Sequence, residues 1–515
     1  MTTMDVQEAK RRKLEAKMGG GPPPSFPSAM PKMPEAAVPV KPKQQAVPTP
    51  VPASDDAEAN PFVCDANESV TFRLVRTAAE MQSAEEFEPE FTHQVFRDDE
   101  TIFGYKGLRI EIFHSANLFK TYVRLAYDEK VKSTLNPADD VLEQLKAHFG
   151  DAMMTDEKEF VKVLEADKNA RVPNDGGEII TTKPSVLENG QPAIDVIRAF
   201  QLSNADVYPW HARFEPLILF YIDGASAIDS EDDKWTLLVV TRHAINDDDE
   251  KSQIIANKSD GKWSLCAFAT VYNFFQYPDS QRARLSQIVV APPFQRQGLG
   301  ASLLEATRRF AIKRELKDVT VEDPTAQLRR LRDVSDVRAL TGRPTIMQAV
   351  KQAAMRAAVL KKNQPSGDAL KMPKEVELEA RTFLKLCAPQ TKRCWEALLY
   401  IFAKKSKAPE DSPAANAFTE LVVKRLKKTH VSDAQRDAGA KRVYNSEVNL
   451  FASGQNEHLG NEKAFVMTKS SKGGEGGVAP EVEEDEDKQD PAEVLAEYFH
   501  ETMSNLAWLA SAAKI

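Results

Sequence analysis

The stretch RLSQIVVAPPFQRQGLGASLLE, Arg284 to Glu305 of a 515-residue chain, decides the fold. It begins as a strand, with Ile288, Val289 and Val290 running into Ala291 and two prolines, and it ends as the opening of an amphipathic helix. Between them stand Gly298 and Gly300. Glycines at such a joint let the backbone approach a ligand, and the first N–H groups of the helix point outward with the positive end of its dipole. The loop Gln295-Arg296-Gln297-Gly298-Leu299-Gly300 therefore suits a diphosphate, although its spacing matches neither the GxGxxG of a dinucleotide fold nor the GxxxxGK of a P-loop.

Downstream, the helix is expected from Ala301 to Arg314, with Leu303, Leu304, Ala306, Phe310 and Ala311 on one face. A short strand, Lys317 to Glu322, follows. Pro324 suits the first turn of another helix, which makes Asp323 its expected N-cap. Upstream, strands are expected at Leu217 to Ile222, Lys234 to Arg242, Trp263 to Phe275 and Arg284 to Val290. Earlier still, Tyr105 to Phe113 and Leu118 to Tyr127 alternate around HSAN as a hairpin would, and Asp139 to Phe149 reads as a helix. The order is α+β.

Composition divides the rest. Residues 1–60 hold the basic cluster Lys10 to Lys13 and eleven of the 31 prolines, with too little apolar surface to offset ordering, so they read as disordered. An α/β domain spans 61–195, a second domain 196–335, and a helical domain 336–455. An acidic, Gly-rich linker covers 456–490, and a last helix, 491–515, places Leu495, Phe499, Leu506 and Leu509 on one face, expected to pack onto the body. The net charge of −9 argues against a surface built for duplex DNA and suits a cationic partner. The four cysteines, Cys64, Cys266, Cys387 and Cys394, have no CxxC spacing, so no metal site is expected. No apolar run approaches the roughly 20 residues of a membrane span, and the expectation is a soluble intracellular protein.

The Arg284 to Glu305 stretch resembles the acetyl-CoA-binding motif of the GNAT acetyltransferase superfamily. THQVFRDDETIFGYKGL (Thr92 to Leu108), FYIDGASAIDSEDDKW (Phe220 to Trp235), TVYNFFQYPDSQRARLSQ (Thr270 to Gln287) and VEDPTAQLRRLRD (Val321 to Asp333) narrow that resemblance to the catalytic subunit of the type B histone acetyltransferases. The resemblance implies a GNAT fold behind an N-terminal domain that binds a histone tail, with acetyl-CoA as co-substrate. It places the cofactor on Gln287, Ile288, Val289, Val290, Gln295, Arg296, Gln297, Gly298, Leu299 and Gly300, and adds Gln327. It further implies acetylation of lysines in the N-terminal tail of newly made, free histone H4, a link to chromatin assembly, a WD40-type histone-binding partner, and residence in both cytoplasm and nucleus.

Acetyl transfer needs a neutral amine, and freeing a lysine of its proton near pH 7.4 costs about 4 kcal/mol. A carboxylate base is therefore sought. Glu322 ends a strand and gains nothing from capping, so it ranks first among the catalytic candidates. The resemblance adds Asp223, one methylene shorter than the usual Glu, and Asp323. Asp98, Asp99 and Glu100, with Trp235, Tyr272, Asn273 and Phe274, are the expected tail contacts; Phe274 stands where Tyr is common. His211 and His243 are read as structural or exposed, not catalytic. Two alternatives stand beside this reading, a GNAT acting on small amines and a histone chaperone with weakened catalysis.

Overall fold

A computed structural model describes residues 60–245, 248–257, 262–360, 366–407, 409, 412–439 and 491–513. The proline-rich head, with its basic cluster, and the acidic linker lie outside the described residues. Those described fall into two compact units that divide between Pro324 and Thr325.

The first unit opens with eight short strands: β1 Val63–Asp65, β2 Val70–Val75, β3 Glu86–Phe87, β4 Thr101–Phe103, β5 Tyr105–Lys106, β6 Arg109–Ser115, β7 Thr121–Ala126 and β8 Glu129–Lys130. Helices α1 Val141–Phe149 and α2 Glu157–Asp167 follow, capped by the side chains of Asp140 and Asp156. Strands β3-β2-β6-β7 form a four-stranded sheet. The expected hairpin is present as β6 and β7, paired antiparallel from Arg109↔Ala126 to His114↔Thr121. Its first arm is shorter than expected, because Gly107 turns at φ +65° and leaves Tyr105 and Lys106 to pair with β8.

The second sheet is antiparallel but for one edge. Its strands are β9 Glu178–Val186, β10 Pro192–Gln201, β11 Trp235–Ala244, β12 Trp263–Gln276, β13 Ser280–Val290 and β14 Val319–Val321, in the spatial order β14-β13-β12-β11-β10-β9. Only β13 and β14 run parallel. Helix α3, Tyr208–Phe214, follows β10, and α4, Leu299–Lys313, joins β13 to β14 while burying Leu303, Leu304, Ala306, Phe310 and Ala311 as its periodicity predicts.

Two expectations need correction here. The run Leu217 to Ile222 is not a strand; Glu215–Leu217 is a 3₁₀ turn and Ile218–Tyr221 a turn of α-helix. Pro216 has no N–H for a ladder and its fixed φ favours a helical first turn, while an all-apolar run carries no period to decide the matter. The boundary expected at Asp195 falls inside β10, and the sheet already begins at Glu178. One hydrophobic core explains why: Phe72 and Ile110 from the early strands and Phe119 from the β6–β7 connection pack with Trp210, Phe214, Phe268 and Val289. Main-chain bonds run the same way, from Ala116 N–H to Val75 O and from Leu265 N–H to Ala116 O.

The second unit is helical: α5 Ala326–Thr341, α6 Pro344–Ala358, α7 Lys374–Leu384, α8 Ala388–Ser406, α9 Pro413–Gly439 and α10 Pro491–Ala512. The last helix packs onto this body, its Phe499, Met503, Leu506 and Leu509 sharing a core with Leu340, Val350, Leu398 and Val422. Asp323 is not the cap of α5. Thr325 is, its hydroxyl accepting from Leu328 N–H at 3.2 Å, so Pro324 precedes the first turn instead of opening it.

Candidate active site

The parallel ladder between β13 and β14 spans only Ala283↔Val319, Arg284↔Thr320 and Leu285↔Val321. Its last rung is Glu322 N–H to Leu285 O at 2.9 Å. Past that point the strands part, so residues 286–290 have β12 on one side and, among the described residues, no strand on the other. The fork is sharpened by a bulge, where Thr270 pairs with Gln287 and Val271 with Leu285, leaving Ser286 over. The Ser286 hydroxyl is buried without a hydrogen-bond partner among the described residues. An unpaired strand edge with an orphaned polar group fits an extended, amide-bearing arm that supplies the missing bonds. Gln287 itself is engaged within the sheet, accepting from the Thr270 hydroxyl at 3.2 Å and donating to Ser226 O at 3.0 Å. Ile288 and Val290 are half-buried and Val289 faces the core.

At the far end of this edge, Gly298 adopts φ +84° and begins α4, and no side chain caps the helix. Gln295 to Gly298 are exposed. The loop is braced from behind: Gln295 donates to Val290 O at 3.1 Å, Gln297 donates to Pro293 O at 3.0 Å, and Gln297 accepts from Arg242, which is itself locked to Asp195 at 2.7 and 3.1 Å. Arg296 is the second residue of the turn in the left-handed region, at φ +58°. Lys183 of β9 brings its ammonium to 3.5 Å from where a side chain on Gly298 would begin. Uncapped N–H groups, the helix dipole and this cation together suit a diphosphate. A cavity of about 960 Å³ adjoins the loop through Phe294 and Gln297, but its lining mixes acids and bases and does not include Glu322. Gln327, on the first turn of α5, belongs to the helical unit.

Around the fork, the register places Trp235, Tyr272, Phe274 and Arg284 on one face of the sheet, through the pairs Trp235↔Tyr272, Tyr272↔Arg284 and Phe274↔Arg282. The rings of Trp235 and Tyr272 lie 4.8 Å apart and those of Tyr272 and Phe274 4.5 Å, both edge to face. The Arg284 guanidinium sits 4.4 Å over the Phe274 ring and brings its Nε to 3.2 Å from Glu322. Burial pulls the Arg284 guanidinium down from the ordinary arginine range, while Glu322, Asp323 and Tyr272 pull it back up. Tyr272 donates its hydroxyl to Asp232 at 2.8 Å, and burial followed by that bond pushes the phenol up. Asp232 is held below the usual carboxylate range: burial opposes this, but the Lys234 N–H and the Tyr272 hydroxyl outweigh it. Asn273 lies on the opposite face, tied to Lys234 O and the Thr236 hydroxyl at 3.2 and 3.3 Å.

The second carboxylate candidate is placed differently. Asp223 follows the turn Ile218–Tyr221, its side chain is 80% exposed, and it lies 3.1 Å from His93 Nε2. The other ring nitrogen of His93 is 3.6 Å from Glu100. Segment 88–100 is laced to this turn by Glu90 N–H to Phe220 O, by Gln94 Nε2 to Leu219 O and Ile222 O, and by the Tyr221 hydroxyl to Glu88 O. Glu100 is thus an internal tie, accepting from Thr92 N–H and from Asn67, each at 2.8 Å. The Thr92 bond is the main reason its carboxyl sits below the ordinary range. Of the acidic run, Asp98 and Asp99 are exposed, with Asp99 folded over the Thr101 hydroxyl at 2.8 Å.

Arg284, His93 and Asp232 are the polar neighbours that sequence reasoning did not single out. Arg284 alternates with apolar residues as any strand arginine does, and His93 and Asp232 carry no motif of their own. His211 and His243 are both buried, and burial pushes each down to about 3, so they stay neutral as structural residues. Among the described residues no helix is long and apolar enough to cross a membrane, and no cluster of three or more His, Cys, Asp or Glu is gathered as for a metal.

An antiparallel sheet whose one parallel edge diverges beside an uncapped, Gly-led helix defines a GNAT acetyltransferase fold, and the GNAT acetyltransferase family model matches residues 206–331. The model described as "Histone acetyl transferase HAT1 N-terminus" matches residues 62–223. The type B histone acetyltransferase catalytic subunit of Mus musculus is 32% identical over 53% of this chain and 63% of its own length. That of Cryptococcus neoformans is 30% identical over 54% of this chain and 71% of its own, and that of Arabidopsis thaliana 26% identical over 87% and 91%. The chain belongs to the family of type B histone acetyltransferase catalytic subunits. It spans somewhat less than two thirds of the mouse relative, 63% of its length.

Proposed function

We propose that this chain transfers acetyl from acetyl-CoA to lysine side chains in the N-terminal tail of newly made, free histone H4, in association with a WD40-type histone-binding subunit, in both cytoplasm and nucleus and in the service of chromatin assembly. The observation that carries the reading is Glu322, set at the fork where β13 loses its partner and beside an aromatic wall. Acetyl-CoA would supply an activated acyl thioester, held along residues 286–290 and at Gln295 to Gly300. The chain supplies the rest. Trp235, Tyr272 and Phe274 flank the stem of an incoming lysine, Asp98 and Asp99 attract its basic neighbours, and Glu322 takes the proton that the ammonium must lose.

Asp223 faces His93 in this structure and acts at most through it or through water, so Glu322 remains first and Asp323 third. The exposed position of Asp223 is also the observation that favours the second reading, a chaperone with weakened catalysis. One experiment tests both. The protein, alone and with its partner, is incubated with acetyl-CoA and an H4 tail peptide, and products are mapped by mass spectrometry. Acetylated lysine is expected, and Glu322→Gln should lower kcat by about 10²- to 10⁴-fold. Binding of the tail without any product supports the chaperone instead.

A further inference from the structure

The chain has a net charge of −9, yet Thr325 to Lys428 of the helical unit holds twenty-two Lys and Arg against ten Asp and Glu, a surplus of twelve positive charges. Part of that surplus is gathered where α8 and α9 meet. The rings of Tyr400 and Phe418 lie 6.1 Å apart, and the Arg425 guanidinium reaches Glu396 at 2.8 Å, so the two helices run antiparallel in this register. One further turn brings Lys392 of α8 level with Lys428 of α9. The acids here are already engaged: Glu396 is buried with Arg425, and Asp333 holds Arg393 at 2.7 Å. Burial pushes the Glu396 carboxyl up, while Arg425, Arg393 and Lys392 pull it back, as cations gathered around it do. On the outer face of α9, Lys424, Lys427 and Lys428 stand at helical spacing, and Lys424 meets Asp368 at 3.4 Å. Lys392, Lys427 and Lys428 are exposed and have no ion-pair partner among the described residues.

We propose that this basic surface of α8 and α9 is a docking site for the chain's own acidic run, Glu481 to Asp487 (EVEEDED), which lies outside the described residues. Two observations select that occupant. The first is charge: six carboxylates in seven residues oppose three unpaired ammonium groups and the paired cations around them. The second is attachment. The run ends four residues before Pro491, where α10 begins, and Leu495, Phe499 and Met503 of α10 pack into the core that also holds Val422 and Leu426, on the inward side of α9. Extended chain from Glu481 to Pro491 spans up to roughly 34 Å, about the diameter of a small domain. A segment tethered that closely meets the surface at an effective concentration on the order of millimolar, so no single charge pair has to be strong. The basic face is thereby shielded from other polyanions, and the shield loosens as salt screens the pairs.

Carbodiimide cross-linking of the full chain, which joins a carboxylate to an amine in direct contact, tests the docking. At low salt, peptide mapping should find Glu481 to Asp487 joined to Lys392, Lys427 or Lys428 within one chain, and about 0.5 M salt should abolish those links. Links only between two copies of the chain, or spread over its exposed lysines without preference, overturn the proposal. A second measurement reads the shielding. With each Glu of the run changed to Gln and each Asp to Asn, the chain should bind a fluorescent single-stranded oligonucleotide at low salt about tenfold more tightly than the parent. Raising the net charge anywhere gives some of that gain, so Lys392→Gln, Lys427→Gln and Lys428→Gln are combined in both backgrounds. They should remove most of the gain from the neutralised variant and weaken the parent by less than about twofold. Equal effects in the two backgrounds mean that run and surface act independently, and a parent that already binds the oligonucleotide through these lysines has its surface open to an external polyanion. Either result overturns the docking.

Discussion

Asp98, Asp99 and Glu100 are consecutive, but only the first two are free to meet a solvated cation. Glu100 is turned inward at φ +56° and holds Thr92, Asn67 and the neighbourhood of His93. Reversing Asp98 and Asp99 together to Lys should weaken binding of a basic tail peptide by about tenfold at low salt, and less at high salt, since surface charges contribute about 0.2–1 kcal/mol each. Fluorescence anisotropy with a labelled peptide reads this out, and an unchanged Kd at low salt removes the acidic pair from the binding surface. Glu100→Gln should instead lower the melting temperature. The difference between these neighbours was not legible in the sequence, because it depends on a backbone turn and on partners 8 and 33 residues away. The place of Glu322 was legible, since the alternation of Val319 and Val321 already set it at the end of a strand, on the face opposite those two.

Among the elements, the strand–loop–helix joint was read almost to the residue, α4 beginning at Leu299 where Ala301 was expected. Its signal is local: β-branched residues, then prolines, then glycines. Gly298→Ala should strain the turn by about 1–2 kcal/mol, since φ +84° is costly for a residue with a Cβ. The new methyl would meet only the flexible end of Lys183, so the fold should survive while the helix start is displaced. Calorimetric titration should show acetyl-CoA binding weakened by roughly tenfold; an unaltered Kd means the αL turn is not needed for the cofactor. Elements without local punctuation were read less well. The Leu217 to Ile222 run is apolar throughout and so looks the same as strand or helix, and the cap of α5 went to Thr325 because Asp323, at φ +30°, cannot hold the extended backbone of an N-cap.

For the molecule as a whole, the buried histidines set a limit on acid. Burial pushes His114, His211 and His243 each down to about 3 from 6.5. The unfolded chain takes up these protons below about pH 6.5 and the folded chain does not, so stability is complete above that value and is lost as pH falls toward 3. At pH 5 each histidine costs about 2 kcal/mol. Glu215, pushed up by burial, offsets part of this on the acid side. Melting temperature should be flat from pH 8 to 7 and fall steeply from pH 6.5 to 4.5; a flat curve to pH 5 would show that the histidines are hydrated in solution.

Composition alone could suggest a domain boundary at Asp195, because it reports where polar and apolar residues change along the chain, not which distant side chains meet. The core that joins Phe72 and Phe119 to Phe214 and Phe268 crosses that boundary. Residues proposed to face the tail and residues proposed to face the thioester therefore rest on one shared core. Cutting the chain there would expose apolar surface on both pieces, so neither half should fold when expressed alone, and any change in what the molecule meets is left to its surface loops.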